Sequence, residues 1–264
     1  MSNLADGKII IDTTVDNSGA EKDIKSLSSK IGSMAKTSAT AVAGMVAAAT
    51  TAVATLAGLS VKQYAEYEQL TGGVETLFKN SSDKVMEYAN NAYKAAGMSA
   101  NEYMNTITGF AASLLQGLGG DTEKAAKIGN MAVEDMADNA NKMGTSIELI
   151  QNAYQGFAKQ NYTMLDNLKL GFGGTKEEMQ RLLQEASKIS GIKYDISNFS
   201  DIIEAIHAIQ NEMGISGTTA KEAASTIEGS LSMTKSAWTN LLTGMADDNA
   251  DFDKLVDNLV NSVG

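Results

Sequence analysis

The chain has 264 residues, room for one or two domains, with a net charge of −11 and neither proline nor cysteine. The missing Cys excludes a disulfide framework, a thiol nucleophile and a Cys-ligated metal, and the missing Pro, where about thirteen are usual, predicts long unbroken helices. Charge is uneven, +1 over residues 1–62 and −12 beyond, and Arg181 is the one arginine, so the body repels phosphates and no specific nucleic-acid binding is expected.

Met1 is followed by Ser2, Asn3, Leu4, Ala5 and Asp6, without the basic and apolar regions of a secretory signal. Together with the absence of Cys, this is compatible with a reducing cytosol. From Lys8 to Val15, Ile9, Ile11, Thr13 and Val15 alternate with Lys8, Ile10, Asp12 and Thr14, the period of a β-strand. The turn residues Asp16 to Gly19 close it. Next, Ile24, Leu27, Ile31 and Met34 recur at three- and four-residue steps between Lys22, Lys25 and Lys30, forming a narrow seam suited to bundling helices.

The seam runs on into an uncharged stretch of twenty-five residues, Thr37 to Val61, framed by Lys36 and Lys62. As a helix this stretch would be about 37 Å long, sufficient for a bilayer core of about 30 Å. Nine of its residues are Ala, five Thr and two Gly. Only Val42, Met45, Val46, Val53, Leu56, Leu59 and Val61 are strongly apolar. Such a composition is marginal for insertion and suits a helix stored against protein and moved to lipid later. The small pairs Gly44/Ala48 and Ala54/Gly58 allow close helix approach. One helix is expected from about Ser18 to about Leu70. Tyr64 and Tyr67 follow the stretch, where they serve either as an interfacial aromatic belt or as ordinary helix packing.

From Ser81 to Met213 successive amphipathic helices are predicted. Capping-box spacing occurs at Ser99/Glu102, Thr145/Glu148, Thr175/Glu178 and Thr219/Glu222. Gly97, Gly144, Gly191 and Gly214 stand at helix stops. Met104, Ile107, Phe110, Ala111, Leu114 and Leu115 make one apolar stripe, and Ile202, Ile203, Ile206 and Ile209 another. The frequent stops favour a compact multi-helix unit over a string of helices. Near the end, Asp247, Asp248, Asp251, Asp253 and Asp257 face Lys254 opposite the apolar residues Phe252, Leu255, Val256, Leu259 and Val260, a pattern that reads as cut short.

The fold class is thus all-α: a short N-terminal β-strand, one long helix containing the apolar Ala/Thr/Gly-rich segment, then a multi-helix array. Four regions are expected: a strand and turn at 1–17, a coiled-coil and hydrophobic helix at 18–70, a multi-helix core at 71–216, and trailing acidic amphipathic helices at 217–264.

No catalytic constellation stands out, and no catalytic, cofactor-binding or metal residue is assigned. The single histidine, His207, has no second His or Cys with which to build a triad or zinc site, and reads as a structural or surface residue of a helix. Leu170 to Gly174, LGFGG, precedes a helix N-terminus, but P-loop spacing is missing and Glu177 and Glu178 crowd that terminus. A rigid turn is the expected role. The carboxylates fall mostly on solvent faces, so a glycosidase pair is not expected.

One segment, Asn161 to Ala186 (NYTMLDNLKLGFGGTKEEMQRLLQEA), resembles the core of tape measure proteins of long non-contractile phage tails and prophages. Gly7 to Lys36, Gly72 to Tyr103, and Thr218 to Leu242 with Trp238 resemble the family's opening strand and helix, its first core helices and the end of its conserved block. The likeness implies a structural protein, not an enzyme, that sets tail length while tube subunits polymerise around it. Its implied partners are the tail tube protein and tail assembly chaperones, other copies of itself in a helical bundle, and the host membrane during DNA ejection. No cofactor and no small-molecule substrate are implied. The implied locations are the virion tail tube lumen, the host cytoplasm during assembly and the host membrane on infection. Family members usually run well beyond this block, so the chain is expected to be the N-terminal part of a longer protein. In that role the seam Ile24, Leu27, Ile31 and Met34 would bundle copies, and the residues from Val42 to Val61 would meet the membrane. The alternative is a membrane-active helical pore former. A peptidoglycan-cleaving enzyme lacks any assembled acid–base set.

Overall fold

The computed structural model describes residues 53–262 apart from positions 224 and 248. The strand expected at Lys8–Val15, the seam Ile24, Leu27, Ile31 and Met34, and Val42, Met45 and Val46 of the uncharged stretch lie outside the described residues. Among the described residues every regular element is helical.

Helix α1, Val53–Phe78, continues past its expected end near Leu70. No proline intervenes, and Val74 and Phe78, both fully buried, prolong the apolar face at four-residue spacing. Gly72 and Gly73 do not break it, because tertiary packing of that face overrides their weak propensity. Lys79, at a left-handed φ of 49°, finally turns the chain through the 3₁₀ segment Lys79–Ser81. Helix α2, Ser82–Ala95, buries Val85, Ala89 and Ala92 on one side.

Helix α3, Ala100–Gly117, starts at a complete capping box. The Glu102 carboxylate accepts from the Ser99 amide at 2.8 Å and the Ser99 hydroxyl at 2.9 Å, while the Ser99 oxygen accepts from the Glu102 amide at 3.3 Å. Ser99→Ala is expected to lower unfolding stability by about 1 kcal/mol in urea titrations. An unchanged midpoint would show that this cap is energetically silent. Met104, Ile107, Phe110, Ala111 and Leu114 of α3 are buried as their spacing predicts, with Leu115 packed at the edge.

Around α3 stand α1, α2, α4 (Thr122–Met143), α5 (Ile147–Phe157) and α7 (Phe199–Glu212). Gly129 lets α4 come close, since a Cβ there would lie 2.9 Å from Ile107 Cδ1. Helix α6, Lys176–Ser190, pairs with α7. All four isoleucines of the α7 stripe are buried, and Phe199 meets Phe110 edge-on with centroids 5.9 Å apart. Gly97, Gly144, Gly191 and Gly214 all have φ between 63° and 74°, the left-handed conformation that ends a helix and that glycine adopts freely.

Of the four expected capping boxes, the one at Ser99 alone is complete. At α5 the N-cap is Ser146 with no side-chain cap bond, because the Thr145 hydroxyl donates to the Asn167 carbonyl at 3.0 Å. Helix α8, Thr218–Ala223, already contains Thr219, and Glu222 accepts from Asn141 of α4 at 2.7 Å. At α6 Thr175 does cap the Glu178 amide at 3.2 Å, but the Glu178 carboxylate turns to the Gly173 amide.

The chain ends in α9, Ile227–Gly244, and α10, Phe252–Asn261. The main hydrophobic cluster reaches from Val74 to Ile215, without Tyr93. Ala237, Leu241, Val256 and Leu259 form a second cluster between α9 and α10, joined by Tyr93 of α2.

Candidate functional site

Of the residues expected in the membrane segment, Val53 and Leu56 lie in the first turns of α1. Leu59 and Val61 are 43% and 47% exposed, whereas Ser60 between them is buried. Thus α1 carries apolar side chains to solvent near its start and inserts Val74 and Phe78 into the core near its end. Tyr64 and Tyr67, half-buried, stack with centroids 6.2 Å apart. Burial raises both phenol pKa values, and Asp247 adds to the rise. Among the described residues no helix is long and apolar enough to cross a membrane.

A buried electrostatic site joins α4 to α7. Asp135 is 2% exposed on its side chain, and both its carboxylate oxygens lie 2.9 Å from His207 Nδ1. The other ring nitrogen, Nε2, lies 2.8 Å from Asn211 Nδ2 on the next turn of α7. Burial pushes the Asp135 pKa up to about 6 while the imidazole opposes that rise. The hydrogen bond to Asp135 raises the His207 pKa, with burial opposing. Fully buried Tyr154 of α5 has its phenol pKa raised well above the usual range, mainly by burial and then by the Asp135 charge.

One turn along α4, buried Asp138 accepts from the Gly217 amide and, at 2.8 Å, from the Thr219 amide. It caps α8 from another helix. The pair and the cap fasten α7 and α8 to α4 through charge. His207 thus has a buried acidic partner on another helix, and that partner was not legible locally. Asp135 and Asn139 follow Ile128 and Ala132 in the same buried stripe of α4. An acid in an apolar stripe was the available signal.

The LGFGG turn is occupied by protein. Gly173 donates its amide to the Glu178 carboxylate at 3.0 Å. Arg181 forks onto Glu178 at 3.1 and 2.6 Å, reaches Glu185 at 2.9 Å and the Gly171 carbonyl at 2.7 Å, and stacks 4.2 Å over the Phe172 ring. These bonds to Arg181 and Gly173 lower the Glu178 pKa. A phosphate here would meet a carboxylate already in place, so the geometry is that of a locked turn.

A cleft of about 430 Å³ separates the body from the C-terminal helices. Small residues such as Ala137, Ala140 and Gly229 line it, together with Glu102, Glu148, Glu222 and Lys235. Among the described residues no cluster of His, Asp and Glu is placed to hold a metal ion. Comparison with known protein families, with curated proteins and with solved structures returns no match.

Proposed function

We propose that the chain is the N-terminal region of a phage or prophage tail tape measure protein, acting by helix association and without covalent chemistry. The observation that carries this reading is the likeness of four segments in family order, from Gly7 to Leu242. The segment of fullest likeness, Asn161 to Ala186, is also the one that folds as the Arg181-locked turn, so its peculiar glycines have a structural use. In this reading copies bundle through Ile24, Leu27, Ile31 and Met34, and tail chaperones and tube subunits gather around them. The acidic body keeps the assembly soluble and away from DNA phosphates. The strand at 8–15 and the long helix from about residue 18 belong to the same proposal.

The test is to express tail tube subunits and chaperones of the encoding phage or prophage with and without the chain, and to measure tubes by electron microscopy. The expected result is tubes that co-purify with the chain and show a narrower length distribution. Tubes that exclude it and keep the same lengths would overturn the reading.

Exposed Leu59 and Val61 favour a second reading, a pore former that unpacks onto membranes. Both readings expect a peptide of residues 36–63 to become helical on anionic lipid vesicles, seen by circular dichroism. A peptide that stays unbound and unstructured removes the membrane role from both. Leakage of vesicle contents on adding the whole chain selects the pore former.

A further inference from the structure

The buried end of the Asp135–His207 pair is short of hydrogen-bond donors. A carboxylate offers about four acceptor sites. His207 Nδ1 can supply one hydrogen to the two Asp135 oxygens, each 2.9 Å away, and among the described residues no other donor reaches them. A buried charge is costly until its remaining lone pairs are met. Suitable donors stand beside it. Tyr154 of α5 and Gln210 of α7 are fully buried. The Tyr154 hydroxyl and both polar atoms of the Gln210 amide have no hydrogen-bond partner in the protein. Burial raises the Tyr154 phenol pKa most, the Asp135 charge adds to the rise, and the Gln210 side chain opposes it. The three groups are therefore neighbours, yet the hydroxyl and the amide meet neither each other nor the carboxylate at the distance and angle of a direct bond. One turn on from Asp135, fully buried Asn139 donates to the Leu168 carbonyl at 3.0 Å and leaves its Oδ1 unpartnered. Among the described residues eight buried side-chain atoms lack a partner, and four of them belong to Asn139, Tyr154 and Gln210. Such a concentration is too costly to stand dry, and polar neighbours that just miss one another are commonly joined through water.

We propose that the junction of α4, α5 and α7 is a binding site for an internal water molecule, which accepts from the Tyr154 hydroxyl and the Gln210 amide and donates to the Asp135 carboxylate. Three partners are the usual complement of a buried water. The bridge satisfies orphaned donors and an under-bonded charge together, and it ties three helices at one point. The site is independent of the tail role proposed above.

The test uses the whole chain. Magnetic relaxation dispersion of the water oxygen counts molecules held for longer than the protein takes to tumble. Tyr154→Phe and Gln210→Met should each lower that count by about one, the occupancy of a single site. Gln210→Met, close in volume, also has a diagnostic sign in thermal melts. At a hydrated site it takes a partner from the water and should melt below the parent. At a dry site it would remove two unpartnered atoms from the core and melt above the parent. A water count equal to the parent's in either variant, or a Gln210→Met chain that melts above the parent, would overturn the proposal.

Discussion

His207→Leu is expected to destabilise the protein by about 3 kcal/mol at pH 8, because it strands the buried Asp135 carboxylate without the imidazole that hydrogen-bonds it. For a chain of this size that corresponds to a fall in melting temperature of roughly 6–12 °C. Most of the loss should return at pH 5, where Asp135 without its imidazole takes up a proton and becomes a neutral buried acid. The double variant Asp135→Leu/His207→Leu should melt closer to the parent at pH 8, since replacing both partners leaves no orphan charge. The parent itself has a defined slope. The His207 pKa is raised in the fold, so its contribution is full below the ordinary histidine pKa of about 6.5 and is lost as pH rises through the folded value. The Asp135 pKa is also raised, to about 6, so folding favours its protonated form and stability from this group grows as pH falls from about 6 towards 3.8. Both groups bind protons more tightly in the native state, and the parent should melt higher at pH 5.5 than at pH 8. Thermal melts of the three proteins at both pH values check this. A His207→Leu variant equally destabilised at pH 5 and pH 8 would show that the carboxylate is not the cause.

The second large effect is expected at Gly174→Ala. An added Cβ would be driven into the Thr163 carbonyl oxygen, with its carbonyl carbon 2.9 Å away. These are backbone atoms of a turn held by Asn161, whose side chain accepts from the Thr163 amide at 3.1 Å and hydroxyl at 2.8 Å. The clash has no flexible side chain to absorb it. Overpacking costs typically reach about 3 kcal/mol, and a backbone collision belongs at or above that end. Gly171→Ala provides a contrast: its Cβ would meet open space, and its φ of 85° makes strain the one cost, roughly 1–2 kcal/mol. Urea midpoints for the two variants should therefore differ clearly. Equal midpoints would mean that the Asn161–Gly174 turn is not rigid.

What was legible in the sequence was local. The α3 and α7 stripes, the Ser99 box and the four glycine stops each depend on spacing within a few residues, and each is where the pattern puts it. The Thr145 and Thr219 boxes failed because distant groups compete for the same atoms. Asn167 takes the Thr145 hydroxyl, Asp138 takes the Thr219 amide, and Asn141 takes Glu222. The end of α1 was misplaced because burial of Val74 and Phe78 carries the helix over Gly72 and Gly73. The Asp135–His207 pair spans 72 positions in the chain, and no local pattern encodes it.

Association through the N-terminal seam is the step on which the proposed role depends. Sedimentation equilibrium of the whole chain, beside a variant carrying Leu27→Asp and Ile31→Asp, measures it directly. The account predicts a parent mass that is a multiple of 27.8 kDa and a variant that sediments at 27.8 kDa with its melting temperature unchanged. A parent that remains at the single-chain mass, or a variant that associates as the parent does, would contradict it.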